Sequence, residues 1–272
     1  MQYPTPMPAA QRFIVFKALA IALFLFPVTV TAGQFTVSPI KLQFDQRSRS
    51  GAIHVFNEEK KPLKVQIKAY EWSQDTKGKD RYTETKDILF FPKITTVHPN
   101  KDRIIRVGIQ GPFNQQEKTN RQQEKTNRQQ EKTYRLFIEE IPDKTAVEAQ
   151  TQINVAIRFG VPIFVEAEKK QIAGKVAQIS LREGQLRMSI LNEGNTHFVI
   201  QSIRVRGIQS NGQEHYSKEI SGWYLLNGSR RAYATHVPPD ICRQTTAFNV
   251  EVKTNEFSLH EKLNVDQNLC TQ

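Results

Sequence analysis

The chain has 272 residues, 38% of them hydrophobic, and a formal net charge of +11 at pH 7. That length suits two domains of common size. A basic balance fits nucleic acid, an acidic membrane surface or the capture of carboxylates, but the bases are scattered through strand-like segments and an export signal argues against nucleic acid.

Residues 1–17 hold two bases, Arg12 and Lys17, and no acid; an uncharged apolar run follows from Ala18 to Val28, then Val30-Thr31-Ala32 before Gly33. This is the layout of a cleavable secretory signal. A membrane span needs about 20 apolar residues; this run is shorter and Pro27 interrupts it. Cleavage after residue 32 leaves about 240 residues at +9, because Arg12 and Lys17 go with the signal. No later stretch is apolar enough to cross a bilayer, so no membrane insertion is expected after cleavage, and the mature chain should reside in the periplasm.

From Phe35 onward the pattern is that of strands. Leu63–Trp72 alternates apolar and polar residues strictly, the period of a half-buried strand. Ala52–Phe56, Ile104–Ile109, Tyr134–Glu139 and Ile153–Ile157 repeat it. Between Ile109 and Tyr134 the heptapeptide QQEKTNR occurs twice, at 115–121 and 122–128, and QQEKTYR follows at 129–135. The first two copies have no apolar position, so no coiled-coil seam exists. The repeat reads as an expanded surface loop over 115–135. Glu166–Lys170 is a charged junction. Beyond it lie a second set of short strands and turn signals such as Asn211-Gly212 and Asn227-Gly228. The organisation expected is a signal at 1–32, one β-sandwich over 33–166 and a second over 167–272. Cys242 and Cys270 are the only cysteines, and an even count in an exported chain predicts one disulfide.

The chemistry-bearing motifs of enzymes are absent: no G-x-S-x-G, H-E-x-x-H, P-loop or G-x-G-x-x-G occurs. The expectation is a protein with no catalytic residues, no cofactor and no metal. What the sequence does offer is one long alternating strand. Val147, Ala149, Thr151, Ile153, Val155 and Ile157 share a face, and Arg158 follows directly. At a sheet edge such a strand invites pairing with another chain; inside a sheet it merely packs a core, and the pattern fits both.

Three segments carry a family resemblance: Pro39–Asp45 (PIKLQFD), Tyr134–Pro142 (YRLFIEEIP) and Ile157–Phe164 (IRFGVPIF). In this order, behind a signal, they resemble the periplasmic pilus-assembly chaperones of the chaperone–usher pathway over essentially the whole mature chain. The resemblance implies an all-β fold of two immunoglobulin-like sandwiches in a boomerang arrangement. It also implies pilus subunits and an outer-membrane usher as partners. Subunits would be bound by strand addition, in which main-chain hydrogen bonds give affinity and alternate side chains fill pockets. The donated residues would be Val147, Ala149, Thr151, Ile153, Val155 and Ile157. Lys41 and Arg158 would anchor the subunit's C-terminal carboxylate through charge-assisted hydrogen bonds, and neither has an acidic neighbour two residues away. Relative to the commoner family pattern, the Arg and Lys of this anchor are exchanged, and the donor strand carries Thr and Ala in place of larger aliphatics, which points to the divergent branch that assembles thin, non-classical pili. A structural pilus or surface-adhesion subunit is the alternative; it would need a donor extension ahead of one incomplete sandwich. A carbohydrate-binding sandwich would need aromatic platforms, and only Trp72 and Trp223 occur.

Overall fold

The computed structural model describes residues 35–110, 130–142, 156–266 and 270. The signal segment therefore lies outside the described residues, as do the first two heptapeptide copies and residues 147–155 of the alternating strand.

The first ten strands are β1 (Phe35–Ser38), β2 (Leu42–Phe44), β3 (Ser50–Asn57), β4 (Leu63–Gln74), β5 (Asp80–Glu84), β6 (Ile88–Phe91), β7 (Ile94–Val97), β8 (Asp102–Ile109), β9 (Lys132–Glu140) and β10 (Arg158–Val165). They make two sheets. One has the order β1-β3-β8-β6; the other runs β2-β10-β9-β4-β5, with β7 also paired to β4. Their inner faces close on one core, in which Ile53, Val55, Val65, Ile105, Leu136, Ile138 and Ile163 are fully shielded. The alternation read in Leu63–Trp72 is the physical cause: Leu63, Val65, Ile67 and Ala69 all point inward.

Eight more strands follow: β11 (Gly174–Arg182), β12 (Gln185–Asn192), β13 (Phe198–Ile208), β14 (Glu214–Ser221), β15 (Tyr224–Leu225), β16 (Arg230–His236), β17 (Ala247–Thr254) and β18 (Ser258–Asn264). Sheets β11-β12-β16 and β14-β13-β17-β18 enclose a second core around Leu186, Ile190, Ile203, Val205 and Phe248. The fold is thus all-β, two immunoglobulin-like sandwiches, with one short helix, α1 (Pro239–Gln244). Cys242 on α1 is bonded to Cys270, Cα atoms 5.6 Å apart, and both sulfurs lie in the second core.

A third, small cluster joins the sandwiches: Trp72, Phe164 and Leu226, with Tyr224 against them. The β4–β5 hairpin reaches across to the second sandwich. Gln74 Nε2 donates to the Tyr224 carbonyl at 2.9 Å, and Arg231 donates to the Gly78 carbonyl at 2.8 Å. Gly78 has φ +78°, and a Cβ there would lie 2.7 Å from the Arg230 carbonyl oxygen. Only glycine fits both demands.

The heptapeptide reading needs a correction at its third copy. Strand β9 begins at Lys132, inside that copy, and Glu131 is buried. Its carboxylate accepts hydrogen bonds from Thr196 Oγ1 (2.9 Å), the His197 amide (2.9 Å) and His197 Nδ1 (2.7 Å). Thr133, two residues on, donates to the Trp72 carbonyl at 2.5 Å. Tyr134, where the other two copies have Asn, anchors this strand: its ring is buried in the first core and its hydroxyl donates to Asp87 at 2.7 Å. Burial, more than that bond, pushes the Tyr134 hydroxyl well above its usual pKa. The first two copies and the third are expected to differ in what their loss costs. Deleting residues 115–128 should shift thermal stability by only tenths of a kcal/mol, as loop-length changes do. Glu131→Ala, which strands three donors, should cost about 1–3 kcal/mol. Differential scanning calorimetry of the two variants separates them; equal losses would contradict this reading.

Candidate functional site

The sheet β2-β10-β9-β4-β5 has a second face, opposite the first core. Along β9, Tyr134, Leu136 and Ile138 are in the core, so Thr133, Arg135, Phe137 and Glu139 take the other side. On β10, Val161, Ile163 and Val165 point inward and Arg158, Gly160, Pro162 and Phe164 share the outer face. The register sets Arg158 opposite Glu139 and Pro162 opposite Arg135.

Arg158 is half exposed, but it is not unpartnered. Its Nε donates to Glu139 Oε1 at 2.7 Å, and its guanidinium carbon sits 3.5 Å from the centre of the Phe137 ring. Lys68 Nζ lies 3.4 Å from the other oxygen of the same carboxylate. The partner is nineteen residues away in sequence and directly across the strand pair, so spacing along the chain could not reveal it. An exposed pair of this kind contributes only about 0.2–1 kcal/mol.

Lys41 is exposed and precedes β2. Leu42 pairs with Ile163 in a parallel register, so Lys41 falls beside Pro162. That is four residues along β10 from Arg158, or about 13 Å. The register thus sets the two residues apart along the sheet, with Lys41 just ahead of β2 and Arg158 at the start of β10.

β10 pairs with β9 along its whole length but with β2 only from Ile163 onward. From Arg158 to Pro162 its other edge meets no described strand. An edge without a strand partner is one to which another chain can add a strand. Of the six alternating residues read from the sequence, Val147, Ala149, Thr151, Ile153 and Val155 lie outside the described residues. Ile157 is half-buried against the first core, its amide donating to Glu140 Oε2 at 3.2 Å and its carbonyl accepting from the Glu140 amide at 2.9 Å.

Sequence reading missed three residues of this face. Glu139 and Arg135 sit in a segment read as an alternating strand and as a family-like stretch, with no role given to its polar face. Glu131 was assigned to a loop. The signal available was alternation: Glu131, Thr133, Arg135 and Glu139 are polar at every second position but one, on a strand whose other face is apolar.

A family model described as the pili and flagellar-assembly chaperone, PapD N-terminal domain, matches residues 34–169, half of the chain. The chain belongs to the pilus-assembly chaperones. Solved chaperones share its fold. The CsuC–CsuE chaperone–tip adhesion subunit pre-assembly complex, from the archaic chaperone–usher Csu pili of Acinetobacter baumannii, is 17% identical with TM-score 0.55; the match covers 85% of this chain and 98% of that one. The SafA pilin–SafB chaperone complex of Salmonella enterica is 10% identical with TM-score 0.50, covering 86% and 99%. Among curated proteins, none matches the sequence. This chaperone thus has the two-sandwich architecture of the chaperone–usher type, and its family is one of chaperones, not of enzymes. Among its described residues no group of His, Cys, Asp and Glu is placed to hold a metal ion, and no helix is long and apolar enough to cross a membrane.

Proposed function

We propose that this chain is a periplasmic chaperone that caps pilus subunits by lending them the strand 147–157 and then passes them to an outer-membrane usher. The observation that carries the reading is the open β10 edge from Arg158 to Pro162, continuous with the alternating segment just before it. A subunit strand laid along that edge gains main-chain hydrogen bonds, and Thr151, Ile153 and Val155 fill its pockets, with Val147 and Ala149 as weaker plugs and Ile157 at the margin where the chaperone's own core begins. We take residues 1–32 as the signal and the junction after Glu166 as the boundary between sandwiches.

The β2–β10 register supports one end point for such a strand. β2 occupies the edge from Ile163 onward, so a strand running parallel to β10 must stop at Lys41. Its C-terminal carboxylate then meets the Lys41 ammonium. Arg158 lies about 13 Å upstream, beside the body of the strand, and serves the anchor less directly.

The test is Ile153→Asp. Placing a charge where an apolar plug enters a groove should abolish co-purification of the subunit encoded beside the chaperone, with circular dichroism and melting temperature of the free protein unchanged. A variant that still yields the complex at parent levels removes the donor-strand reading.

A further inference from the structure

We propose that Arg135 is a second carboxylate-binding residue of this cleft, placed to work with Lys41 across Pro162; the inference rests on the strand-donation reading above. Arg135 is 7% exposed, and its Nε is buried with no hydrogen-bond partner among the described residues. A buried cation without a counter-charge is costly. What surrounds it is aromatic: its guanidinium carbon lies 4.0 Å from the centre of the Trp72 ring, 5.8 Å from that of Trp223 and 6.0 Å from that of Tyr224. Stacking offsets part of the cost but leaves Nε–H without an acceptor among the described residues. Asp80, an acid on the same cleft, is already engaged by Trp223 Nε1 at 2.9 Å and Gln74 Nε2 at 3.0 Å.

Three facts place this side chain in the binding path. Arg135 is the cross-strand partner of Pro162, and Lys41 falls on the opposite side of Pro162, so the three form one row across β9, β10 and the start of β2. Lys41 and Arg135 are then two strand spacings apart, about 10 Å, a gap that two long side chains can close around one carboxylate. Pro162 between them offers no base of its own. Gly160 keeps the route clear: a Cβ there would come within 3.1 Å of Arg135 Cδ and 2.9 Å of the Phe137 ring. The planar fork of arginine suits bidentate grip of a carboxylate held against aromatic walls.

A structural filler would behave differently from a ligand-binding residue, and Arg135→Met separates them. Methionine keeps an unbranched stem of similar volume and removes the charge. The probe is a synthetic peptide of the last strand of the neighbouring subunit, made with a free and with an amidated C-terminus. The parent should bind the free acid more tightly than the amide. Arg135→Met should melt no lower than the parent, bind the free acid about 30-fold or more weakly, and lose most of the preference for acid over amide. Arg135→Lys, which retains a charge, should show a smaller loss and keep part of the preference, and it serves the same test if the methionine variant fails to fold. Unchanged acid-over-amide preference in whichever variant folds would overturn the assignment. A parent that binds neither peptide sinks the strand-donation reading and this inference with it; a parent that binds both equally sinks the carboxylate site alone.

Discussion

Lys41→Ala should weaken subunit capture by about 2–5 kcal/mol, the range for truncating one partner of a desolvated charge pair, and leave the melting temperature of the free chaperone unchanged. The free protein gains nothing from this side chain: it is exposed and forms no ion pair with a described residue. In the proposed complex its ammonium is shielded by the end of the incoming strand and faces a carboxylate. Arg158→Ala should cost much less, about 0.2–1 kcal/mol, because Arg158 is half exposed, already neutralised by Glu139 and four residues from the strand's end. Isothermal titration with the subunit peptide measures both. Equal losses at the two positions would mean that the bound strand does not stop at β2.

The second large effect concerns the disulfide. Replacing Cys242 and Cys270 together by alanine should destabilise the second sandwich by about 3.5 kcal/mol, the chain-entropy value for a loop of this length. The bond spans 28 residues and ties α1 to the end of the chain. Both sulfurs sit among core side chains, so packing is lost as well. The first core contains neither residue and its own transition should hold. Calorimetry should show the two sandwiches melting apart, the second much lower; one unshifted transition would contradict this.

How far the sequence could be read follows from which forces act locally. β4 was legible because Leu63, Val65, Ile67 and Ala69 repeat with period two over a long run and all enter one core. β14 and β5 were not: EHYSKEIS and DRYTE are largely exposed edge segments, where no burial enforces a pattern. α1 has six residues, too few to show a helical period. In the third heptapeptide copy the strand starts at Lys132, two residues ahead of the alternation read from Tyr134, because Glu131 and Thr133 are buried by partners distant in the chain, Thr196, His197 and Trp72.

The proposed site could be read from the sequence residue by residue, but its arrangement could not. Lys41 and Arg158 were found by likeness of short segments, which says nothing about register. The parallel β2–β10 pairing sets them four residues apart. Arg135 escaped because an arginine in an alternating strand ordinarily faces water. Its burial is produced by Trp72, Trp223 and Tyr224, which come from distant parts of the chain.

Hydrogen exchange read by mass spectrometry on the full mature chain, with and without the neighbouring subunit, tests the central claim most directly. Strand donation predicts that amides of residues 147–161 gain strong protection on binding, while those of β9, already paired on both sides by β10 and β4, change little. Protection appearing elsewhere, with 147–161 exchanging as in the free protein, would contradict it.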